Sequence, residues 1–420
     1  MEKFTIKSIE KCLDSEPFLS SIAPTLMRLP IGSIKKNILL CKIEARKGTQ
    51  VVKSMPYRGV LNITNACNLR CNFCEITYFH QKFKKAYPNN VDMSVLQKYA
   101  PWLRNLYALD FYGSVGEPTL NKNFTKIVSS LKSQYSTRLF INTNGTMLYP
   151  DISPAILSNV DDVLISVHAG TRETYAKLVG DGFERVVANI RHLVTAREIS
   201  LKQKPKIGLA FALNIINATD IESFVNLAQE LGVDYVAVSH YYHVRNKFGA
   251  LDISYNSHPL DGNAFINWLY LLAKQKGIAV QPEHPPYLPQ HPSKKQCIAP
   301  WSTIKFEGCM EYENSHYIAV CNRIVLFRLD YSEYDFSSGV NAIQNHPVLQ
   351  YMRGTVNSEC TNEICAFCKD ESTPQLRCIN NEEYRHRRDG ATKEFFKHAR
   401  EHFDMPEIKG LYLLEETPYE

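Results

Sequence analysis

The sequence predicts an α/β protein, with a partial (β/α)6 barrel followed by a small cysteine-rich module. Two observations lead to this fold. Strand-like runs alternate with helix-like stretches between residues 57 and 240, and most cysteines lie in two separate regions of the chain. The 420 residues are 44% hydrophobic and 22% charged, which is typical of globular proteins and enough for a barrel with an accessory module.

The alternation predicts six strand–helix units with right-handed crossovers. The run Asp162–Val167 is almost continuously apolar, as expected when helices cover both faces of a parallel sheet. The predicted strands span 59–64, 106–112, 137–142, 162–167, 206–213 and 233–239. The predicted helices span 91–104, 123–134, 152–158, 183–200 and 219–231.

The remaining segments set the predicted domain boundaries. Residues 1–56 form an N-terminal extension in which Ile38–Ile43 is an apolar run suited to a strand. The barrel covers 57–240 and is followed by a connector at 241–296 that could line a pocket. Residues 297–378 form the cysteine-rich module, and the charged segment 379–420 is expected to be a surface helix and tail.

Composition excludes several classes of protein. A net charge of +5 permits acidic or phosphorylated ligands without indicating them, and no basic stripe points to nucleic acid. No apolar run is long enough to span a bilayer, and the N-terminus lacks the apolar core of a secretion signal. We therefore expect a cytoplasmic protein, in which twelve cysteines argue for metal binding rather than disulfides.

Three cysteines form a compact loop after the first predicted strand. Cys67, Cys71 and Cys74 are separated by three and then two residues, so their thiolates can converge on one soft metal centre. Three ligands are one too few for a closed tetrahedral site. The spacing therefore indicates either a fourth ligand from elsewhere or an iron left open to another molecule.

The flanking motifs lie at the C-terminal ends of predicted strands, where barrels of this kind carry out their chemistry. Val115-Gly116-Glu117-Pro118 follows the second strand, and Asn142-Thr143-Asn144-Gly145 closes the third. Together with the Cys-x3-Cys-x-aromatic-Cys loop, these motifs resemble those of the radical S-adenosylmethionine (SAM) enzymes. Val115 departs from that family's Gly-Gly-Glu-Pro motif, in which the first residue is glycine.

The resemblance implies a cofactor and a reaction. The loop cysteines would hold three irons of a [4Fe–4S] cluster, and SAM would chelate the open iron. Reductive cleavage of SAM then gives a 5′-deoxyadenosyl radical that abstracts hydrogen from a substrate. The positions that match the family's SAM contacts are Phe73, Gly116, Glu117, Asn144 and Ser166. Phe73 would lie near the adenine, and the backbone or the acid of Gly116-Glu117 would meet the SAM amino group. His168, where many relatives have aspartate, faces either substrate or solvent.

A second group of cysteines follows residue 296. The segment Cys297-Ile298-Ala299-Pro300-Trp301 resembles the opening of the SPASM or twitch module, which carries an auxiliary cluster. We expect the auxiliary [4Fe–4S] ligands to be Cys297, Cys321, Cys365 and Cys368. A structural zinc site with the same ligands is chemically possible. Cys309, Cys360 and Cys378 are left over, and the spacing of a full two-cluster module is absent.

The resemblance favours an enzyme that oxidises or epimerises a polar small molecule, with a carbohydrate as one such substrate. The alternative is a maturase that modifies a ribosomally made peptide. Either would need an electron donor such as flavodoxin or ferredoxin. A non-enzymatic iron–sulfur protein would not need Gly116-Glu117-Pro118, so that motif argues against it. The sequence identifies no residue that acts directly on the substrate.

Overall fold

The computed structural model describes residues 33–74, 90–111, 116–135, 137–201, 203–240, 259–281, 297–309, 312, 314–321, 325–337, 340–359, 361–371, 381–409 and 411–414. Residues 1–32, Val115, Cys360 and Cys378 lie outside these ranges, as do residues 241–258 and 282–296 of the predicted connector.

The described strands form one eleven-stranded sheet with the order β11-β10-β9-β8-β1-β2-β3-β4-β5-β6-β7. Strand β8 and strands β1 to β7 run parallel, and β9 to β11 run antiparallel to their neighbours. The strands are β1 Arg58–Leu61, β2 Ala108–Phe111, β3 Arg138–Thr143, β4 Asp162–Ser166, β5 Lys206–Leu213, β6 Tyr235–His240, β7 Ala279–Gln281, β8 Thr303–Gly308, β9 Ser315–Ala319, β10 Val325–Asp330 and β11 Leu411–Leu413.

The described helices lie between successive strands, except the first helix, which precedes β1. They are α1 Ser33–Arg46, α2 Met93–Lys98, α3 Ala100–Leu103, α4 Phe124–Gln134, α5 Ser153–Asn159, α6 Arg172–Leu178, α7 Phe183–Ile199, α8 Ile221–Glu230, α9 Pro259–Gln275, α10 Ala299–Ser302, α11 Val340–Gln344, α12 Pro347–Thr355, α13 Glu363–Glu371 and α14 Asn381–His402. Short helical turns span Pro118–Leu120, Leu148–Ile152 and Ala218–Asp220.

The predicted α/β fold is confirmed, and each of the six predicted barrel strands corresponds to one of β1 to β6. The two faces of the sheet differ. In β4, Val163 and Ile165 are fully buried under the helices, whereas the alternate residues Asp162, Leu164 and Ser166 are only partly buried. The prediction that helices cover both faces was therefore wrong for this face, which lines an open lumen.

The N-terminal extension contains a helix where the sequence suggested a strand. Ile38, Cys41 and Ala45 are all buried in α1, and their spacing of three and four residues is the helical period. They pack with Trp301 and Val356 in a small second core. The apolar run Ile38–Ile43 was therefore misassigned, because a short apolar run does not by itself distinguish a strand from a buried helix.

The cysteine-rich module continues the sheet of the barrel. Strand β8 pairs in parallel with β1, with Arg58 opposite Thr303 and Leu61 opposite Phe306. A buried histidine, His316 on β9, strengthens this junction. Its Nε2–H donates to the Asn62 carbonyl oxygen at 3.0 Å, and its Nδ1 accepts from the Tyr99 hydroxyl at 2.7 Å. The predicted boundary at residue 297 therefore does not interrupt the sheet.

The C-terminal segment is more than the surface helix that we expected. Phe395, Phe396 and Ala399 of α14 are almost completely buried, and α14 packs against α12 and α13. Strand β11 then closes the antiparallel edge of the sheet against β10. No helix in the described part of the chain is long and apolar enough to cross a membrane.

Candidate active site

The three-cysteine loop lies at the C-terminal end of β1. Cys67, Cys71 and Cys74 line one cleft of ≈ 160 Å³. The loop is tied to the end of α6, because the Asn72 backbone N–H donates to the Leu178 carbonyl oxygen at 2.9 Å. The Asn72 side-chain amide also donates to the backbone of that helix. The structure thus brings the three predicted ligands to one pocket and anchors their loop.

The thiols suit a positively charged centre. Burial raises the pKa of the Cys67 thiol, and it raises the pKa of Cys71 to about 12, with Cys74 and Cys67 adding repulsion. Three neighbouring thiolates are therefore unfavourable unless a metal core offsets their charge. Among the described residues, no three Cys, His, Asp or Glu side chains lie within reach of a single metal ion. A cubane cluster binds each thiolate to a different iron, so a shared cleft is the geometry that it requires.

Gly116 occupies a position that only glycine can fill. Its φ is +107°, and a Cβ atom there would lie 1.9 Å from the Thr64 carbonyl oxygen. The next residue, Glu117, donates its backbone N–H to the Ala66 carbonyl oxygen at 2.7 Å, directly before Cys67. This close approach fixes the second motif against the start of the cysteine loop.

The Glu117 carboxylate is turned into the protein. It is 2% exposed, and its Oε1 accepts from the hydroxyls of Thr119 at 2.6 Å and Thr143 at 2.7 Å. Its Oε2 accepts from the Asn144 backbone N–H at 2.6 Å. Burial raises the pKa of this carboxyl, and the hydrogen bonds oppose that effect. The acid thus joins the ends of β2 and β3, so the geometry favours the backbone of Gly116 for a contact with a ligand.

Asn144 and Ser166 line the same cleft. The Asn144 amide donates to Asn68 Oδ1 at 2.9 Å, and its oxygen accepts from the Thr146 hydroxyl at 2.7 Å. The Ser166 hydroxyl donates to Asn142 Oδ1 at 3.0 Å. Both side chains are therefore held at defined positions beside the cysteine loop.

Phe73 and His168 form one wall of the cleft. Their rings meet edge to face, with centroids 5.2 Å apart. His168 has a φ of +59°, and its backbone carbonyl oxygen accepts from the Asn217 amide at 2.9 Å. Its Nδ1 accepts from the Ala212 backbone N–H at 3.1 Å, so the ring proton lies on Nε2. Burial lowers the pKa of His168 to about 4, which makes it a neutral donor near pH 7.

Sequence reasoning missed helix α6 and three further residues of the cleft. Val179, directly after α6, lines the cleft, and so do Leu69 and Thr143. A signal was present, because Thr171 caps α6 by accepting from the Thr174 backbone N–H. Helix α6 is only seven residues long and lies outside the strand–helix alternation. The prediction of one helix after each strand therefore did not include it.

The second cysteine group lies near Cys365, although among the described residues no three of its thiols lie within reach of a single metal ion. Burial raises the pKa of Cys365 to about 12, and repulsion from Cys321, Cys297 and Cys368 adds to it. The four predicted auxiliary ligands are therefore close enough to interact electrostatically, although they come from three separate segments. The Asn357 side chain holds the backbone of Cys297 through two hydrogen bonds of 3.0 Å. It accepts from the Cys297 N–H and donates to the Cys297 carbonyl oxygen.

One protein-family model matches the part of the chain that contains this cleft. Residues 61–227 match the Radical SAM superfamily model. A probable GTP 3′,8-cyclase from Saccharolobus islandicus is 26% identical over 267 residues, which cover 63% of this chain and 78% of that protein.

Two solved structures share the fold. SuiB from Streptococcus suis, bound to S-adenosylmethionine, has a TM-score of 0.50 and 14% identity, and the match covers 76% of this chain and 71% of SuiB. The structure of anSMEcpe with bound AdoMet and Cp18Cys peptide has a TM-score of 0.52 and 17% identity to this chain. The match covers 83% of this chain and 97% of the anSMEcpe chain.

Proposed function

Because residues 61–227 form a radical SAM domain, we propose that this protein is an enzyme that abstracts hydrogen from a C–H bond of a polar small molecule. When bound, the cluster and SAM supply the 5′-deoxyadenosyl radical by one-electron cleavage of the sulfonium bond. The observation that carries the proposal is the shared cleft of Cys67, Cys71, Cys74 and Gly116. A three-thiol site beside a glycine with positive φ suits a cluster with one iron left open to SAM.

The residues around the cleft have separate roles in this proposal. Cys67, Cys71 and Cys74 bind three irons. The Gly116 backbone would contact the amino group of SAM, Asn144 and Ser166 would contact its ribose and carboxylate, and Phe73 would pack near its adenine. Glu117 positions these groups through its internal hydrogen bonds rather than touching the cofactor.

We further propose that Cys297, Cys321, Cys365 and Cys368 bind an auxiliary [4Fe–4S] cluster. The electrostatic effect of Cys297, Cys321 and Cys368 on the Cys365 thiol supports the assignment. A structural zinc ion remains the alternative, because zinc accepts the same four ligands. A small electron-transfer protein such as flavodoxin or ferredoxin would supply the reducing electron.

The relatives support two substrate classes. The GTP in the name of the Saccharolobus islandicus relative is a polar small molecule, which favours our first proposal. The anSMEcpe structure includes a bound peptide, which favours peptide maturation as the second candidate. We place the small molecule first because the described barrel contains a lumen of matching size.

We expect the product to be oxidised rather than epimerised. An epimer requires a hydrogen-atom donor, for which a thiol is well suited, and the three loop cysteines are the only thiols among the described residues of the cleft. Cys41 and Cys309 are fully buried elsewhere. An oxidised product requires an electron acceptor, which the auxiliary cluster would provide.

Turnover of an identified substrate in deuterated water tests this expectation. We expect a product two mass units lighter than the substrate, with no deuterium at the attacked carbon. Stable incorporation of one deuterium there, without a two-electron change in mass, would show that the enzyme epimerises its substrate instead.

A further inference from the structure

The lumen of the barrel contains a cavity of ≈ 490 Å³ next to the cofactor cleft. Most of its side chains come from the partly buried face of the sheet, and Asn142 lines both the cavity and the cleft. The volume falls within the range of about 300–1,000 Å³ that small-molecule sites occupy. The lining residues are Asp110, Arg138, Phe140, Ile141, Asn142, Asp162, Leu164, Lys206, Tyr235 and Gln281.

Tyr235 and Asp162 form a fixed polar pair in this cavity. The Tyr235 hydroxyl donates to Asp162 Oδ1 at 2.5 Å. The tyrosine ring lies across Gly208, where a Cβ atom would be 2.3 Å from the ring. Glycine at this position therefore lets the ring cross the strand and reach the carboxylate. One oxygen of Asp162 is thereby oriented, and the other is left as an acceptor.

Asp110 is a second acceptor in the cavity. It has no hydrogen bond or ion pair with any described residue, and it is only partly buried. The sheet register places Asp110 and Asp162 in one layer with Phe140 between them, two strand spacings or about 10 Å apart. Burial raises the pKa of Asp110 to about 6, while Arg58 and Lys305 oppose this shift.

Small residues lie between these acids and the cofactor cleft on β5 and β6, whereas Leu164 lies between Asp162 and Ser166 on β4. On β5, Gly208, Ala210 and Ala212 alternate along the lumen face, and Ala210 lies opposite Ser166 of the cleft. Ala237 continues this wall on β6. The cavity and the cleft adjoin at Asn142, which lines both of them.

We propose that this lumen is the substrate pocket, and that Asp110 and the Asp162–Tyr235 pair bind hydrogen-bond donors of the substrate, either hydroxyl or ammonium groups. The proposal rests on the radical SAM function above and narrows its substrate to a donor-rich small molecule. Arg138 and Lys206, which also line the cavity, reduce the repulsion between the two carboxylates.

The test is ligand-observed NMR titration of the full-length reconstituted protein with glucosamine and glucose as probes. Both carry hydroxyl donors, and glucosamine adds an ammonium group. We expect binding at millimolar concentration, weakened about tenfold by Asp110→Asn or Asp162→Asn because each removes a charged acceptor. Asp404→Asn, an exposed aspartate far along the chain, is the matched control and should bind as the wild type does.

Each outcome decides the proposal. Tighter binding of glucosamine identifies an ammonium site, and equal binding of both sugars identifies a hydroxyl site. The proposal is overturned if neither sugar binds, or if both aspartate variants bind as well as the control. Asp110→Asn keeps the test valid even if Asp162→Asn misfolds, because Asp110 makes no hydrogen bond or ion pair with a described residue. Sugar binding requires no SAM cleavage, so failure of the proposed function would appear separately as absence of 5′-deoxyadenosine.

Discussion

Replacing Cys67, Cys71 and Cys74 together by alanine should reduce SAM cleavage to the background of the assay. The three thiols are the only cysteines of the described cleft, so their loss removes every proposed ligand of the open cluster. The fold should survive, because the loop lies beyond the end of β1 and the sheet register does not depend on it. Liquid chromatography with mass spectrometry of 5′-deoxyadenosine measures the result.

The variant should still bind about four irons per chain at the second cysteine group. Cys41→Ala is the control, because Cys41 is a buried thiol packed in the second core and has no proposed role in metal binding. Continued formation of 5′-deoxyadenosine by the triple variant would contradict the assignment of the loop. Loss of all iron, with an altered circular dichroism spectrum, would show that the loop also supports the fold.

Replacing Cys365 and Cys368 by alanine should lower bound iron by about four per chain, because a cluster rarely persists on two of its four ligands. These cysteines lie one helical turn apart on α13, and Cys365 also contacts the second core around Trp301. Elemental analysis by inductively coupled plasma mass spectrometry gives iron and zinc in the same sample.

The same Cys41→Ala control separates loss of a ligand from loss of packing, since Cys41 belongs to the core that Cys365 touches. If the double variant loses one zinc per chain and keeps its iron, the second group is a structural zinc site. If neither metal changes, Cys365 and Cys368 are not ligands.

The barrel could be predicted because its signals are local. The apolar run of β4 predicts a strand from its own residues, and the helical periods that flank it predict helices in the same way. The predicted cysteine loop follows β1 as expected. The pairing of β8 with β1 could not be predicted in this way. It joins residues about 245 positions apart, and no local pattern at Thr303–Gly308 specifies that neighbour.

The details of the site depended on contacts between distant residues. The motif identified Glu117, but its inward orientation depends on Thr143 and Asn144 at the end of another strand. Asp110 and Asp162 lie in otherwise apolar runs, and no sequence motif marked either of them. Their common layer became apparent only with the sheet register, which places both opposite Phe140.

The most direct test of the central proposal is whether the wild-type protein cleaves SAM. The protein is reconstituted anaerobically with iron and sulfide, reduced with dithionite and incubated with SAM, and 5′-deoxyadenosine is quantified. We predict its formation only when both reductant and SAM are present. Protein that binds iron in full at both cysteine groups yet forms no 5′-deoxyadenosine would contradict the proposal.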